Sequence, residues 1–173
     1  GNIAHGNSSV IADRLALGLA DVVVTEAGFG SDLGAEKFFN IKCRVSDLAP
    51  DAAVVVATVR ALKAHSDKFK IIPGRPLDPL LLTEDLDALR SGLPNLAKHI
   101  DNVRIHGVPV VVAINAFPTD TPAELEAVRQ AALAAGADDA VISTVWADGG
   151  AGGEALGQAV LAAAERGSNF RYL

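Results

Sequence analysis

The sequence predicts an α/β fold, a doubly wound parallel sheet forming part of a larger domain, and three observations carry that prediction. Short apolar runs rich in β-branched residues recur at Val22–Thr25, Ala52–Ala57, Val110–Ile114 and Ala140–Val145, and turn formers bound the third. Runs without polar alternation suit strands buried on both faces, as parallel strands are. Between them lie longer stretches with helical spacing, so strand and helix alternate along the chain. Ala and Val dominate a composition that is 50% hydrophobic and 21% charged, which suits helices packed on a parallel sheet.

Taken in order, Asn7, Ser8 or Ser9 caps a first helix running to about Ala20, with Val10, Ile11, Leu15 and Leu19 near one face. The Val22–Thr25 strand ends in Glu26-Ala27-Gly28-Phe29-Gly30-Ser31-Asp32. Leu33–Phe39 reads as a short helix, and Ile41–Arg44 as strand-like. The Ala52–Ala57 strand turns into a helix from Thr58 to His65, where Lys63 and His65 read as a solvated helix end or as groups facing a site. Residues 66–82 hold Pro73, Gly74, Pro76 and Pro79 and read as an irregular loop. A helix begins at Thr83-Glu84-Asp85, is interrupted by Gly92 and Pro94, and resumes from Asn95 to Val103.

The clearest stretch is Gly107–Asp120, GVPVVVAINAFPTD. Its strand stops at Asn115, and Thr121-Pro122-Ala123-Glu124 then opens a helix with Thr as N-cap, Pro at the first position and Glu three residues after the cap. Gly136 closes that helix. The Ala140–Val145 strand leads to Trp146 and a glycine-rich loop, and Glu154–Arg166 is the last helix. The 173 residues read as a single α/β unit.

A net charge of −6 argues against nucleic acid or an anionic membrane surface as partner. No run approaches the ~18 apolar residues of a membrane span, and no signal peptide is visible. The single Cys43 excludes an internal disulfide and suits a reducing, cytoplasmic location. The chain contains no Met and opens within what reads as a functional loop, so it is expected to be a piece of a larger protein.

In an open parallel sheet, ligands bind beyond the carboxyl ends of the strands. Glu26 with its Gly-Phe-Gly, Asn115 to Asp120, and Trp146 with its glycines all follow strands, so they are expected to converge on one edge. Asn115 offers both a donor and an acceptor, as recognition of a base edge requires. Phe117 and Trp146 are large rings on loops and could clamp a flat heterocycle. The blander readings are a core plug for Phe117, a packing residue for Trp146 and a solvated turn carboxylate for Glu26. His5, in His-Gly-Asn-Ser-Ser, is a candidate acid/base or phosphate ligand, or else a structural residue before a helix. There is no GxxxxGK[ST] loop, no GxGxxG after a strand, no CxxC pair and no G-x-S-x-G elbow, and the four His lack metal-ligand spacing.

NIAHGNSSVIAD, VVTEAGFGSDLGAEKFFNIKCR, PDAAVVVATVRALKAH, NLAKHIDNV, GVPVVVAINAFPTDT and WADGGAGG, in this order, resemble the formate–tetrahydrofolate ligase family (10-formyltetrahydrofolate synthetase) over almost the whole chain. TEAGFGSDLGAEKF and VVAINAFPTDT are its most specific parts. The resemblance implies a P-loop NTPase type of α/β domain and an ATP-dependent C–N ligase. Such an enzyme joins formate to tetrahydrofolate through formyl phosphate, giving 10-formyltetrahydrofolate, ADP and phosphate. It further implies Mg²⁺ with ATP, a stimulating monovalent cation such as K⁺ or NH₄⁺, and a homotetramer. Phe117 and Trp146 match the aromatics that sandwich the pterin. Asn115, Pro118 and Asp120 match the nucleotide-pocket loop, and Phe29 faces formyl transfer with Glu26 beside it. His5 matches a loop near the phosphates. Metal ligands are not identified by the resemblance.

The departures are two. Where many members read His-Gly-Cys-Asn-Ser, this chain has His-Gly-Asn-Ser-Ser, so no thiol takes a role there. The family's phosphate loop, with its Lys, would lie upstream, so the polypeptide alone is expected to be inactive. The alternatives are a folate- or nucleotide-binding module without turnover, and a piece of another P-loop-like NTPase such as a partition-type or metal-insertion protein. Neither partition-type nor metal-insertion proteins should carry TEAGFGSDLGAEKF.

Overall fold

The computed structural model describes residues 6–72 and 74–173, which fall into two compact units. The first runs to Pro50 and includes Asn169–Leu173; the second is Asp51–Ser168.

In the first unit, helix α1 (Val10–Leu17) starts at Ser9, whose hydroxyl accepts the Ala12 N–H at 3.1 Å. Its apolar residues point outward: Ile11 is 81% and Leu15 65% exposed, and the one buried residue is Asp13. Asp13 is held by Lys42 at 3.1 Å and by Asn7, so this helix buries an ion pair instead of its apolar face. Val22–Thr25 is not a strand. A parallel strand persists only where neighbours take up its backbone N–H and C=O groups. No strand pairs with this run among the described residues, and Val24 is 88% exposed.

Helix α2 (Ser31–Lys37) continues through a π-helical turn, Phe38–Cys43, into α3 (Arg44–Ser46). The expected strand at Ile41–Arg44 is therefore helical. Phe38, Phe39, Lys42 and Cys43 are buried together, and their i, i+4 spacing belongs to one helix face, not to a strand. Phe170 packs on Phe39 and on Tyr172, and Arg44 lies over the Tyr172 ring at 4.1 Å, so the last residues close this unit.

The second unit is a three-stranded parallel sheet among helices. Its strands are β1 (Ala53–Ala57), β2 (Val110–Asn115) and β3 (Asp139–Ser143), in the order β1-β2-β3. Strand β1 leads into α4 (Val59–Ala64); after the 66–82 loop comes α5 (Leu86–Arg104), and α6 (Pro122–Ala134) joins β2 to β3. After β3 follow α7 (Val145–Asp148), a glycine-rich 3₁₀ turn and α8 (Glu154–Glu165). Helices α5 and α6 pack on each other and on the sheet. Helix α8 packs on β2 and β3. Val110–Ile114 is buried on both faces as expected, but β1 is not: Val54 and Val56 are 42% and 61% exposed, while Val55 and Ala57 are buried.

Helix α5 runs unbroken through Gly92 and Pro94, against the expected interruption. Pro94 forfeits one backbone hydrogen bond, but Leu89, Leu96, Ile100 and Val103 are buried along one stripe and hold the helix to the sheet. Gly92 is required by packing: a Cβ there would lie 1.9 Å from the Leu62 carbonyl oxygen of α4. The 66–82 segment is irregular as expected, ending in a 3₁₀ turn at Pro79–Leu82, and Phe69 and Leu81 anchor it against Ala88.

Candidate functional site

The carboxyl ends of β1, β2 and β3 form one edge of the second unit, as all three strands run parallel. At the end of β2, Asn115 is the first exposed residue after five buried ones. The chain then makes a tight turn, Phe117-Pro118-Thr119-Asp120. The Asp120 N–H donates to the Phe117 carbonyl at 2.9 Å, and Asp120 Oδ2 accepts the Phe117 N–H at 2.9 Å. Pro at the second position presets this turn, and the Asp side chain closes it from the other side. Ala116 N–H donates to the Ser143 carbonyl at 3.1 Å, tying the turn to the end of β3. The Phe117 ring is half-buried and Pro118 exposed.

Next to this turn stands a residue that sequence reasoning passed over. Arg60, in the first turn of α4, lays its guanidinium 3.8 Å from the centre of the Phe117 ring. Thr58 starts that turn by accepting the Ala61 N–H at 3.1 Å. Burial pushes the Asp120 carboxyl above its ordinary range, opposed by the Phe117 N–H and by the charge of Arg60.

Behind the turn sits a second group not foreseen from sequence. Lys63, read as a solvated helix end or a group facing a site, is instead 1% exposed and donates to Glu124 Oε1 at 2.9 Å and to the Thr83 carbonyl at 2.8 Å. The same Glu124 oxygen accepts the Asp85 N–H at 3.1 Å, and Oε2 accepts the Thr121 N–H at 3.2 Å. Glu124 thus completes the predicted capping box with Thr121 and also fastens α6 to α4 and to the start of α5. Burial pushes its carboxyl up, but the Lys63 hydrogen bond, the Asp85 and Thr121 N–H groups and the Lys63 charge together hold it below the usual range. His65, by contrast, is exposed at the end of α4.

Trp146 lies on the short helix α7, not at the tip of a strand, because β3 ends three residues earlier, at Ser143. It is 78% exposed and makes no ring contact with Phe117. The glycine loop folds back onto Thr144: the Thr144 N–H donates to the Gly152 carbonyl at 3.1 Å, and a Cβ on Gly152 would meet the Thr144 backbone at 2.5 Å.

Glu26 and Phe29 belong to the first unit, and Val22–Thr25 is not a sheet strand, so the sheet-edge argument holds only for the loops of the second unit. Glu26 borders a concavity of about 270 Å³ that Asn7, Ser9, Asp13 and Thr25 also line. Phe29 has φ 75°, a left-handed conformation that a bulky residue rarely adopts, and its ring is 64% exposed with Lys37 Nζ 4.5 Å from its centre. A Cβ at Gly34 would lie 2.4 Å from the Gly28 carbonyl oxygen, so this loop rests on the bare backbone of α2. His5 lies outside the described residues. Among the described residues no cluster of three or more His, Cys, Asp and Glu is placed to hold a metal ion, so none is assigned to Mg²⁺. Nor is any described helix long and apolar enough to cross a membrane.

Residues 1–173 match the family model described as formate–tetrahydrofolate ligase. The chain belongs to the formate–tetrahydrofolate ligase family. It is 58% identical over 173 residues to the formate–tetrahydrofolate ligase of Saccharopolyspora erythraea, covering 100% of this chain and 30% of that protein. Over 172 residues it is 60% identical to the ligase of Aeromonas hydrophila and 56% to that of Cutibacterium acnes, covering 99% of this chain and 30% of each relative. The chain therefore spans about 30% of the length of these curated ligases.

Proposed function

We propose that this chain supplies ligand-reading loops of a formate–tetrahydrofolate ligase, and that the edge at Asn115–Asp120 receives a flat heterocyclic substrate. The observation that carries the reading is the Phe117 turn. The backbone that carries this half-buried ring is held at the carboxyl end of a buried strand by two hydrogen bonds to Asp120, and the ring itself lies against Arg60. A turn ordered before the ligand arrives costs little further ordering on binding.

In this reading Phe117 stacks on the pterin of tetrahydrofolate and Trp146, exposed on α7, closes from the other side. Asn115, Pro118 and Asp120 line a nucleotide pocket, while Glu26, Phe29 and His5 serve formyl transfer near the phosphates. A polypeptide of the relatives' full length carries out the whole reaction. A formate oxygen attacks the γ-phosphorus of ATP and ADP leaves. The N10 lone pair of tetrahydrofolate then attacks the formyl carbon, phosphate leaves with its bridging oxygen, and N10 loses its proton. Mg²⁺ screens the phosphates when bound, and K⁺ or NH₄⁺ stimulates. The sheet is read as part of a P-loop NTPase type of doubly wound domain, in a cytoplasmic homotetramer. The chain alone is expected to bind without turning over, since it contains no GxxxxGK[ST] motif to hold the transferring phosphoryl group.

The test is a titration of Trp146 fluorescence with tetrahydrofolate, corrected for absorption by the ligand. Saturable quenching is expected, weakened about tenfold by Phe117→Ala. No saturable change in the unmodified protein would reject a folate site at this edge.

A further inference from the structure

We propose that Arg60 is the anion-recognition residue of this edge: stacked on Phe117, it holds its N–H groups ready for an oxyanion on the arm of a ligand whose flat ring is seated there. The inference rests on the reading of Phe117 as a stacking platform and adds to it the charge that the ligand must carry.

Three observations lead to it. The guanidinium carbon lies 3.8 Å from the Phe117 ring centre, so the contact is made by the guanidinium close against the ring. Guanidinium has five N–H donors, all in its plane, and a stacking contact uses none of them. Second, those donors have no acceptor: Arg60 makes no hydrogen bond or ion pair among the described residues, and its Nε is buried without a partner. A buried donor left unpaired is costly, so an acceptor brought to it by a ligand would be favoured. Third, the nearby acid is already engaged. Asp120 feels the charge of Arg60 but lies beyond ion-pair distance, and its Oδ2 accepts the Phe117 N–H.

One face of the Phe117 ring is thus taken by a cation, so in this proposal the ligand ring stacks on the other. The ligand class that fits is a planar heterocycle bearing a flexible anionic arm that passes the ring edge to reach Arg60. Two oxyanions meet that description, the carboxylate of a glutamyl tail and the phosphoryl group of a nucleotide. A planar fork recognises either bidentately.

The experiment is calorimetric titration of the protein and of Arg60→Gln and Arg60→Lys with two matched pairs: tetrahydrofolate and 6-methyltetrahydropterin, and ADP and adenosine. Each pair shares a ring and differs in the anionic arm. In the unmodified protein the charged member of at least one pair should bind more tightly than its neutral counterpart. Arg60→Gln should weaken that charged member about tenfold or more and the neutral one by less than about threefold. Loss within the folate pair identifies a carboxylate, and loss within the adenine pair identifies a phosphoryl group. Arg60→Lys keeps the charge but loses the fork, so it should fall between; if Arg60→Gln does not fold by circular dichroism, this variant and the neutral-to-charged ratio of the unmodified protein decide. Equal losses for charged and neutral members would overturn the proposal, leaving Arg60 as a support for the ring alone. No loss would also overturn it, with the stacking platform intact. Failure of the unmodified protein to bind any of the four would overturn the platform itself and the proposal with it.

Discussion

Glu124 shows how much one buried carboxylate can organise. Its two oxygens meet Lys63, Asp85 and Thr121, and so join three helices directly behind the Phe117 turn. Truncating it strands the Lys63 ammonium, which is 1% exposed, in a site without counter-charge. Glu124→Ala should therefore cost about 3–5 kcal/mol of unfolding free energy, read by urea denaturation. A Lys63→Met/Glu124→Met double variant should cost much less than the two single changes added together. The same pair sets a pH response. The folded carboxyl of Glu124 titrates below its unfolded value, so its contribution is complete above the unfolded pKa of roughly 4.3 and is lost as pH falls through the lower folded value. Asp120 has the opposite sign: its raised pKa makes ionisation unfavourable to folding, and protonation relieves that. Stability against pH should thus decline in acid, with a shallower slope in Glu124→Gln; an unchanged slope would remove Glu124 from the account.

Among elements, α5 and β2 show what local pattern reveals and what it hides. Strand β2 was readable because Val110 to Ile114 is apolar at every position and lies between Pro109 and Asn115. The α6 cap was readable because Thr121, Pro122 and Glu124 specify it within four residues. Val22–Thr25 carries the same pattern as Val54–Ala57, but pattern says nothing of which strand supplies the hydrogen-bond partner, and here none pairs with it. Gly92 and Pro94 are helix breakers by intrinsic preference, overruled by the buried stripe from Leu89 to Val103. Arg60 on Phe117 and Lys63 on Glu124 are contacts between distant parts of the chain, which no local spacing could signal. Gly92 permits the close crossing of α4 and α5, and α4 carries both Arg60 and Lys63. Gly92→Ala should consequently destabilise by about 1–3 kcal/mol in thermal or urea unfolding, although Ala is the better helix former. Unchanged or increased stability would contradict the crossing described.

At the scale of the molecule, a three-stranded parallel sheet presents its carboxyl edge through turns that the same unit braces from behind. The family is shown by similarity along residues 1–173, while the chain spans about 30% of its relatives' length. The account therefore stands on whether this edge recognises a ring. The most direct test is nuclear magnetic resonance of protein with isotopically labelled phenylalanine, titrated with tetrahydrofolate. Six ring environments exist, and Phe38, Phe39 and Phe69 are buried. The account predicts a saturable ring-current shift at Phe117, with those buried rings unmoved. Saturable shifts elsewhere with Phe117 unchanged would contradict it, and would place the ligand away from the edge of β2.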